Sequence, residues 1–307
     1  AYFASCSFTV AATALMCSYD SSHVYLTSCD VDCATFNATT TGQSYLYYYE
    51  LDVQATDDLF LHGKASSTIE GHSSELDAGD DLCLISEDTA CISTTQNNFT
   101  ASGTLYMTSL SSSEIGHSHC LFDVNEIDGG AYDTALMWFE ASEFTADTFS
   151  CITAYHQAAL SLSYCHLYDN VYLSITDQAY LDMQYTIVDY LVIMMGQAEG
   201  YMYNCTFTRS GSVALWVYGE ASLEMEKCDV GYAYLYDNPH VGITSSAFYR
   251  FYIGTSADPT EHPVAEAYFT NFTFFFAYAS SYIYPVSYTH LRAHETEADL
   301  VCRLLLE

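Results

Sequence analysis

Ala159-Leu160-Ser161-Leu162-Ser163-Tyr164-Cys165-His166-Leu167 and Ala221-Ser222-Leu223-Glu224-Met225-Glu226-Lys227-Cys228-Asp229-Val230 share one pattern. Leu160 and Leu162 are two apart, so they lie on one face of an extended strand. Cys165 and Leu167 share a face in the same way. Leu162 and Cys165 are three apart, which breaks the alternation. A two-residue corner at Ser163-Tyr164 restores it: the chain bends there and both pairs still point inward. Equivalent corners fall at Thr27-Ser28, Gln184-Tyr185, Tyr203-Asn204, Glu226-Lys227 and Thr244-Ser245. They are mostly polar, as corners should be.

Working outward, the unit repeats. Leu59-Phe60-Leu61, Leu82-Cys83-Leu84 and Leu105-Tyr106-Met107 stand 23 residues apart, as do Ile69, Ile92 and Ile115, and Leu76, Phe99 and Phe122. Further short strands are expected at Val171–Ile175, Leu191–Met195, Val213–Val217 and Tyr232–Leu235. Turn signals at Asp169-Asn170, Ser210-Gly211, Gly219 and Asp237-Asn238 separate them. Three short strands in each unit of roughly twenty residues predict an all-β fold, a right-handed parallel β-helix. About a dozen coils, stacked at 4.8 Å, would form a rod roughly 60 Å long. A two-sheet sandwich would explain the alternation but not the recurring corner. Thr, Val and Tyr content and the period of two argue against helices.

On this coil periodicity, residues 1–284 resemble the pectin-lyase-like superfamily of right-handed parallel β-helices. The resemblance implies a fold more than an activity. Polygalacturonase-type members use clustered Asp residues, a Gly-His-Gly loop and an Arg-x-Lys clamp. Gly71-His72-Ser73 and Gly116-His117-Ser118 match only two letters of that loop, and no Arg-x-Lys occurs. Pectate lyases use an Arg base beside Ca²⁺-binding acids. Arg209 and Arg250 lie in no such motif.

The last residues have a different origin. Val286–Thr296 and Leu300–Glu307 resemble two blocks of a translated transposase sequencing adapter, with Glu297-Ala298-Asp299 in the index position. The chain therefore divides into a β-helix fragment, 1–284, and a non-native tail, 285–307. It also begins at Ala1 rather than Met, and a longer parent chain is expected.

The whole 307-residue chain carries 6 basic and 39 acidic residues, a net charge of −33. Two of the basic and four of the acidic residues belong to the tail, leaving only Lys64, Arg209, Lys227 and Arg250 to oppose the rest. Such a surface repels nucleic acid and anionic membranes and attracts cations. Disorder is not expected, because half of the residues are apolar and 29 are Tyr. No apolar run approaches the length of a spanning helix. The sequons at Asn37, Asn98, Asn204 and Asn271 favour a secreted route and glycosylation.

Candidate chemistry is sparse. Cys6, Cys29, Cys165, Cys205 and Cys228 share the inward position after the corner and read as an interior ladder of small polarizable side chains. Disulfides between neighbouring rungs, or of Cys83 with Cys91 or Cys29 with Cys33, are alternatives. His117 and His119, two apart on one strand face, could share a metal ion; a polar turn is the plainer reading. Asp57-Asp58 and Asp80-Asp81 precede equivalent strands and should stack. They could bind Ca²⁺, serve as general acid and base, or be solvated turns. Tyr45-Leu46-Tyr47-Tyr48-Tyr49 could form a stacking platform for sugars, extended by Tyr172, Tyr180, Tyr232 and Tyr234, although aromatics also favour strands as such.

The functional expectation is an extracellular or cell-surface β-helix without a catalytic site, serving in adhesion, structure or glycan binding. No cofactor other than calcium is expected, and the partners would be glycans or other cell-surface molecules. A glycoside hydrolase or lyase acting on a neutral polysaccharide is the alternative. A reading frame that is not a gene is the third reading, prompted by the scarcity of Lys, Arg and Pro.

Overall fold

The computed structural model describes residues 1–168, 170–208, 214–254, 263–268, 270–277 and 281–285, with backbone alone for 282–285. The tail at 286–307 lies outside the described residues. So do Asp169, Arg209, Ser210, Gly211, Val213 and Phe269.

Among the described residues every element is a strand, and every strand pairing is parallel. The strands stack as a β-solenoid of about 11 turns. One coil shows the plan. Leu59–Ala65 lies on a first face, Thr68–His72 on a second and Glu75–Ala78 on a third. The chain then turns at Gly79–Asp81 into Leu82–Ser86, which pairs with Leu59–Gly63 one coil earlier. The 23-residue repeat becomes hydrogen-bonded register: Leu59↔Leu82↔Leu105, Ile69↔Ile92↔Ile115 and Leu76↔Phe99↔Phe122.

The predicted corners are bends into the left-handed region. Ser28, Tyr164, Tyr185, Asn204, Lys227 and Ser245 all have φ between 50° and 57°. Ser5, Glu50, Ser73, Gln96, His119 and Ala141 take the same position in the other coils. None is glycine, so each carries a steric cost of roughly 1–2 kcal/mol. The backbone ladder offsets it by running through the bend: Tyr164 N–H donates to Gln184 O at 2.9 Å and Lys227 N–H to Thr244 O at 3.0 Å.

A second line of left-handed residues links the first face to the second: Asp20, Gly42, Ala65, Asp88, Ser111, Asp133, His156, Asp177, Gly196, Gly219 and Asp237. The sequence reading found only parts of this ridge, because its residue types vary. Its hydrogen bonds are equally regular, as in Thr89 N–H to Ala65 O and Gln178 N–H to His156 O, both 2.9 Å.

The inward faces form one continuous apolar cluster from Ala14 to Phe272. Phenylalanines stack along the third face, with ring centroids 5.0 Å apart for Phe99–Phe122 and 4.7 Å for Phe122–Phe144. The Cys ladder is interior as expected: Cys29, Cys165, Cys205 and Cys228 are buried, and Cys6 packs against the core half-buried. All the described cysteines are free, so the alternative pairings Cys83–Cys91 and Cys29–Cys33 are not formed.

The ladder position is not simply apolar. The residue after each described corner is Cys6, Cys29, Leu51, Ser74, Asn97, Cys120, Ser142, Cys165, Thr186, Cys205, Cys228 or Ser246. All but Leu51 can hydrogen-bond. Ser142 Oγ donates to Glu140 O at 3.0 Å and accepts Cys120 N–H at 3.2 Å. Cys165 Sγ donates to Ser163 O at 3.4 Å. A bend leaves backbone groups without regular partners, and a short hydroxyl or thiol supplies them where water cannot.

Candidate functional site

A cluster of outward aromatic side chains lies on the second face, near the first coils. His23–Thr27 and Tyr45–Tyr49 pair in register there. Val24, Leu26, Leu46 and Tyr48 turn inward, so His23, Tyr25, Tyr45, Tyr47 and Tyr49 turn outward. Parallel register places His23 beside Tyr45, and Tyr2, Tyr25, Tyr47 and Glu70 in one column.

Four rings, those of His23, Tyr25, Tyr45 and Tyr47, line an open cleft of about 450 Å³. Within each strand the rings are nearly parallel: His23–Tyr25 centroids are 6.3 Å apart at 9°, and Tyr45–Tyr47 6.4 Å at 17°. Across coils they tilt, His23–Tyr45 by 52° and Tyr25–Tyr47 by 48°. This spread differs from the face-to-face aromatic ladder elsewhere on the rod, where Tyr234–Tyr252 and Tyr252–Phe276 stand 4.3 and 4.6 Å apart. The cleft rings are spaced more widely, with centroids 5.9–6.4 Å apart.

One end of the cleft is polar. Glu70 accepts the Tyr45 hydroxyl, and His72 Nε2 lies 2.9 Å from its other carboxylate oxygen. These contacts hold the Glu70 carboxyl below its ordinary range, the Tyr45 hydrogen bond contributing most. Burial, followed by the Glu70 contact, pushes the Tyr45 phenol up. His72 also packs against Tyr47, centroids 5.6 Å apart. Aromatic walls with a few fixed polar groups are the usual build of a small-ligand site.

Tyr45, Tyr47 and Tyr49 are legible as a platform in the sequence; His23, Tyr25, Glu70 and His72 are not. Their signal was the offset of 22 or 23 residues that makes them neighbours. Tyr48 does not belong to the platform. It is fully buried, and its ring occupies the space above Gly71, where an added Cβ would meet Tyr48 Cζ at 2.0 Å. Its hydroxyl accepts Asn97 Nδ2 at 3.2 Å. Nor do the other tyrosines extend the platform. Tyr172 stacks on Phe149 on the first face. Tyr180 shares the second face, but the coils carrying Thr68, Cys91, Glu114, Leu136 and Ala159 intervene. Tyr234 belongs to the first-face ladder, and Tyr232 packs on Tyr249.

The two histidines proposed to share a metal ion are separated. His119 is the left-handed corner residue and is exposed, while His117 is fully buried. The corner interrupts the alternation that would have put both on one face. The two Gly-His pairs are likewise one residue out of register, since Gly71↔Thr94↔His117, so His72 points outward and His117 inward.

The Asp pairs stack as expected. Asp80 N–H donates to Asp57 O at 2.9 Å. The inner carboxylates serve the backbone: Asp58 Oδ1 accepts Asp81 N–H at 3.3 Å, and Asp81 Oδ1 accepts Thr104 N–H at 2.8 Å. Asp57 and Asp80 are exposed. Among the described residues, no three His, Cys, Asp or Glu side chains converge as a metal site.

A second groove, about 640 Å³, follows the ridge at Asp133, His156, Asp177 and Gly196. Its amides are paired with one another, Gln157 to Gln178 at 3.3 Å and Gln178 to Gln197 at 3.2 Å, and Gln197 donates to Glu220 at 2.9 Å. The sequon residues Asn98, Asn204 and Asn271 are exposed; Asn37 is half-buried, its Oδ1 accepting the Thr39 hydroxyl at 2.8 Å.

Comparison with protein families, curated proteins and solved structures finds no match to this chain. No described helix is long and apolar enough to cross a membrane.

Proposed function

We propose that this chain is a non-catalytic β-solenoid of the cell surface or extracellular space that binds glycans through the cleft of His23, Tyr25, Tyr45 and Tyr47. The observation that carries the reading is the set of four outward rings lining one open cleft, beside a fixed carboxylate. Tyrosine offers broad, rigid, amphipathic contact at low entropic cost. Sugar C–H faces pack on such rings while Glu70 accepts a hydroxyl.

Exposed sequons support a secreted route. The likeness to the pectin-lyase-like superfamily is proposed as one of fold. Of the four candidate acids, Asp58 and Asp81 accept backbone N–H groups while Asp57 and Asp80 are exposed, and no substrate-clamping Arg-x-Lys accompanies them, which supports binding rather than hydrolysis.

The test is titration calorimetry against a panel of soluble oligosaccharides, with wild type and Tyr47→Ala. Binding by wild type that weakens at least tenfold in the variant is expected. No binding to any glycan, or equal binding by Tyr47→Ala, would overturn the reading. Release of new reducing ends from any panel member would overturn its non-catalytic part.

A further inference from the structure

We propose that the cleft selects cationic glycans, polymers of amino sugars with free protonated amines, over neutral ones. The inference rests on the glycan-binding reading and names the ligand class.

The face of an aromatic ring carries negative potential and attracts an ammonium group. Three such rings, Tyr25, Tyr45 and Tyr47, converge on the open cleft beside His23, at centroid spacings of 6.0–6.4 Å. At its end each Glu70 oxygen has one partner, Tyr45 or His72. A carboxylate oxygen can accept two hydrogen bonds, so Glu70 retains capacity for an ammonium donor.

The protein already uses this chemistry on its own cations. Lys227 Nζ lies 4.5 Å from the Tyr203 ring centroid, with its hydroxyl at 2.7 Å. Arg250 Cζ lies 5.0 Å from the Tyr232 centroid. The remaining described cation of this kind, Lys64, pairs with Glu87 at 3.2 Å. No described Lys or Arg reaches the cleft; the Ala1 ammonium donates to the His23 backbone O at 2.5 Å, and His72, charged only when protonated, packs on Tyr47. A net charge of −33 steers cations toward the rod and repels polyuronates.

The experiment compares tetrasaccharides of β-linked glucosamine, N-acetylglucosamine and glucose by calorimetry on the full chain, at one pH and physiological ionic strength. The proteins are wild type, Tyr47→Leu, Glu70→Gln and, as a control for bulk charge, Glu220→Gln. Circular dichroism verifies each fold. Glucosamine tetramer is expected to bind about tenfold more tightly than the neutral pair, a difference within the cation–π range. Tyr47→Leu, which changes no charge, and Glu70→Gln should each remove most of that preference, and Glu220→Gln none.

Equal affinity for all three sugars would overturn the cation preference and leave glycan binding standing. A preference that survives Tyr47→Leu and Glu70→Gln, or falls equally with Glu220→Gln, would assign it to bulk charge and overturn the site. Binding of none would overturn the cation preference, and glycan binding would then stand or fall on the wider panel.

Discussion

His117 is the residue whose surroundings depart furthest from its chemistry. It is fully buried among Phe99, Phe122 and Phe139. Its single hydrogen bond joins Nδ1 to Thr94 Oγ1 at 2.6 Å, and Nε2 has no partner. Burial pulls its pKa down to about 3. The folded state therefore disfavours the proton that the unfolded chain accepts below about 6.5. Stability from this group is fully present above 6.5 and is lost as pH falls toward 3. Between pH 6.5 and 4.5 the loss should reach roughly 2–3 kcal/mol. Denaturant titrations at both pH values check it. In His117→Leu the difference should shrink by most of that amount, with Thr94 keeping its contact to Cys120 Sγ at 3.4 Å. An unchanged difference would show that other groups carry the acid sensitivity. That His117 points inward was not legible locally, because a histidine two residues from another looks like a shared face until a corner intervenes.

At the scale of the element, the unit is a strand, a left-handed bend and a buried hydrogen-bonding residue. Ser142 shows its energetics. Ser142→Ala removes the acceptor of Cys120 N–H and the donor to Glu140 O in a dry interior. A loss of about 1–3 kcal/mol is expected. Ser142→Cys should cost less than about 1 kcal/mol, since Cys120 and Cys165 hold the same position one coil away on either side. Chemical denaturation of the three proteins checks the ranking. Equal loss in both variants would mean that volume, not hydrogen bonding, governs the position. This logic also explains the Cys ladder. Its period was legible because side-chain position recurs with the coil. Its hydrogen-bonding role was not, because Cys alone reads as apolar and only the Ser, Thr and Asn of intervening coils reveal the shared donor.

For the whole molecule, a negative rod is stacked at the inter-strand spacing, well inside a Debye length of about 10 Å. Self-repulsion should make stability rise with salt, with Tm increasing by roughly a few degrees toward physiological ionic strength. Scanning calorimetry in sodium chloride checks this. Calcium should add nothing beyond magnesium at equal ionic strength, because among the described residues no three His, Cys, Asp or Glu side chains converge as a metal site. A rise specific to calcium would assign a metal role to the Asp57–Asp58 and Asp80–Asp81 stack. The solenoid, its three faces and the register of Leu59, Leu82 and Leu105 were determined by the sequence alone. Alternation and repeat length leave a half-buried strand one way to bury its apolar side. The tertiary structure alone decided what meets on the surface. Coil length varies from 18 to 23 residues between corners, so outward neighbours such as His23 with Tyr45, or Tyr47 with Glu70, are set by accumulated register. Outward positions bear no packing constraint that would mark them in the chain, so the aromatic cleft emerges only when the coils are stacked.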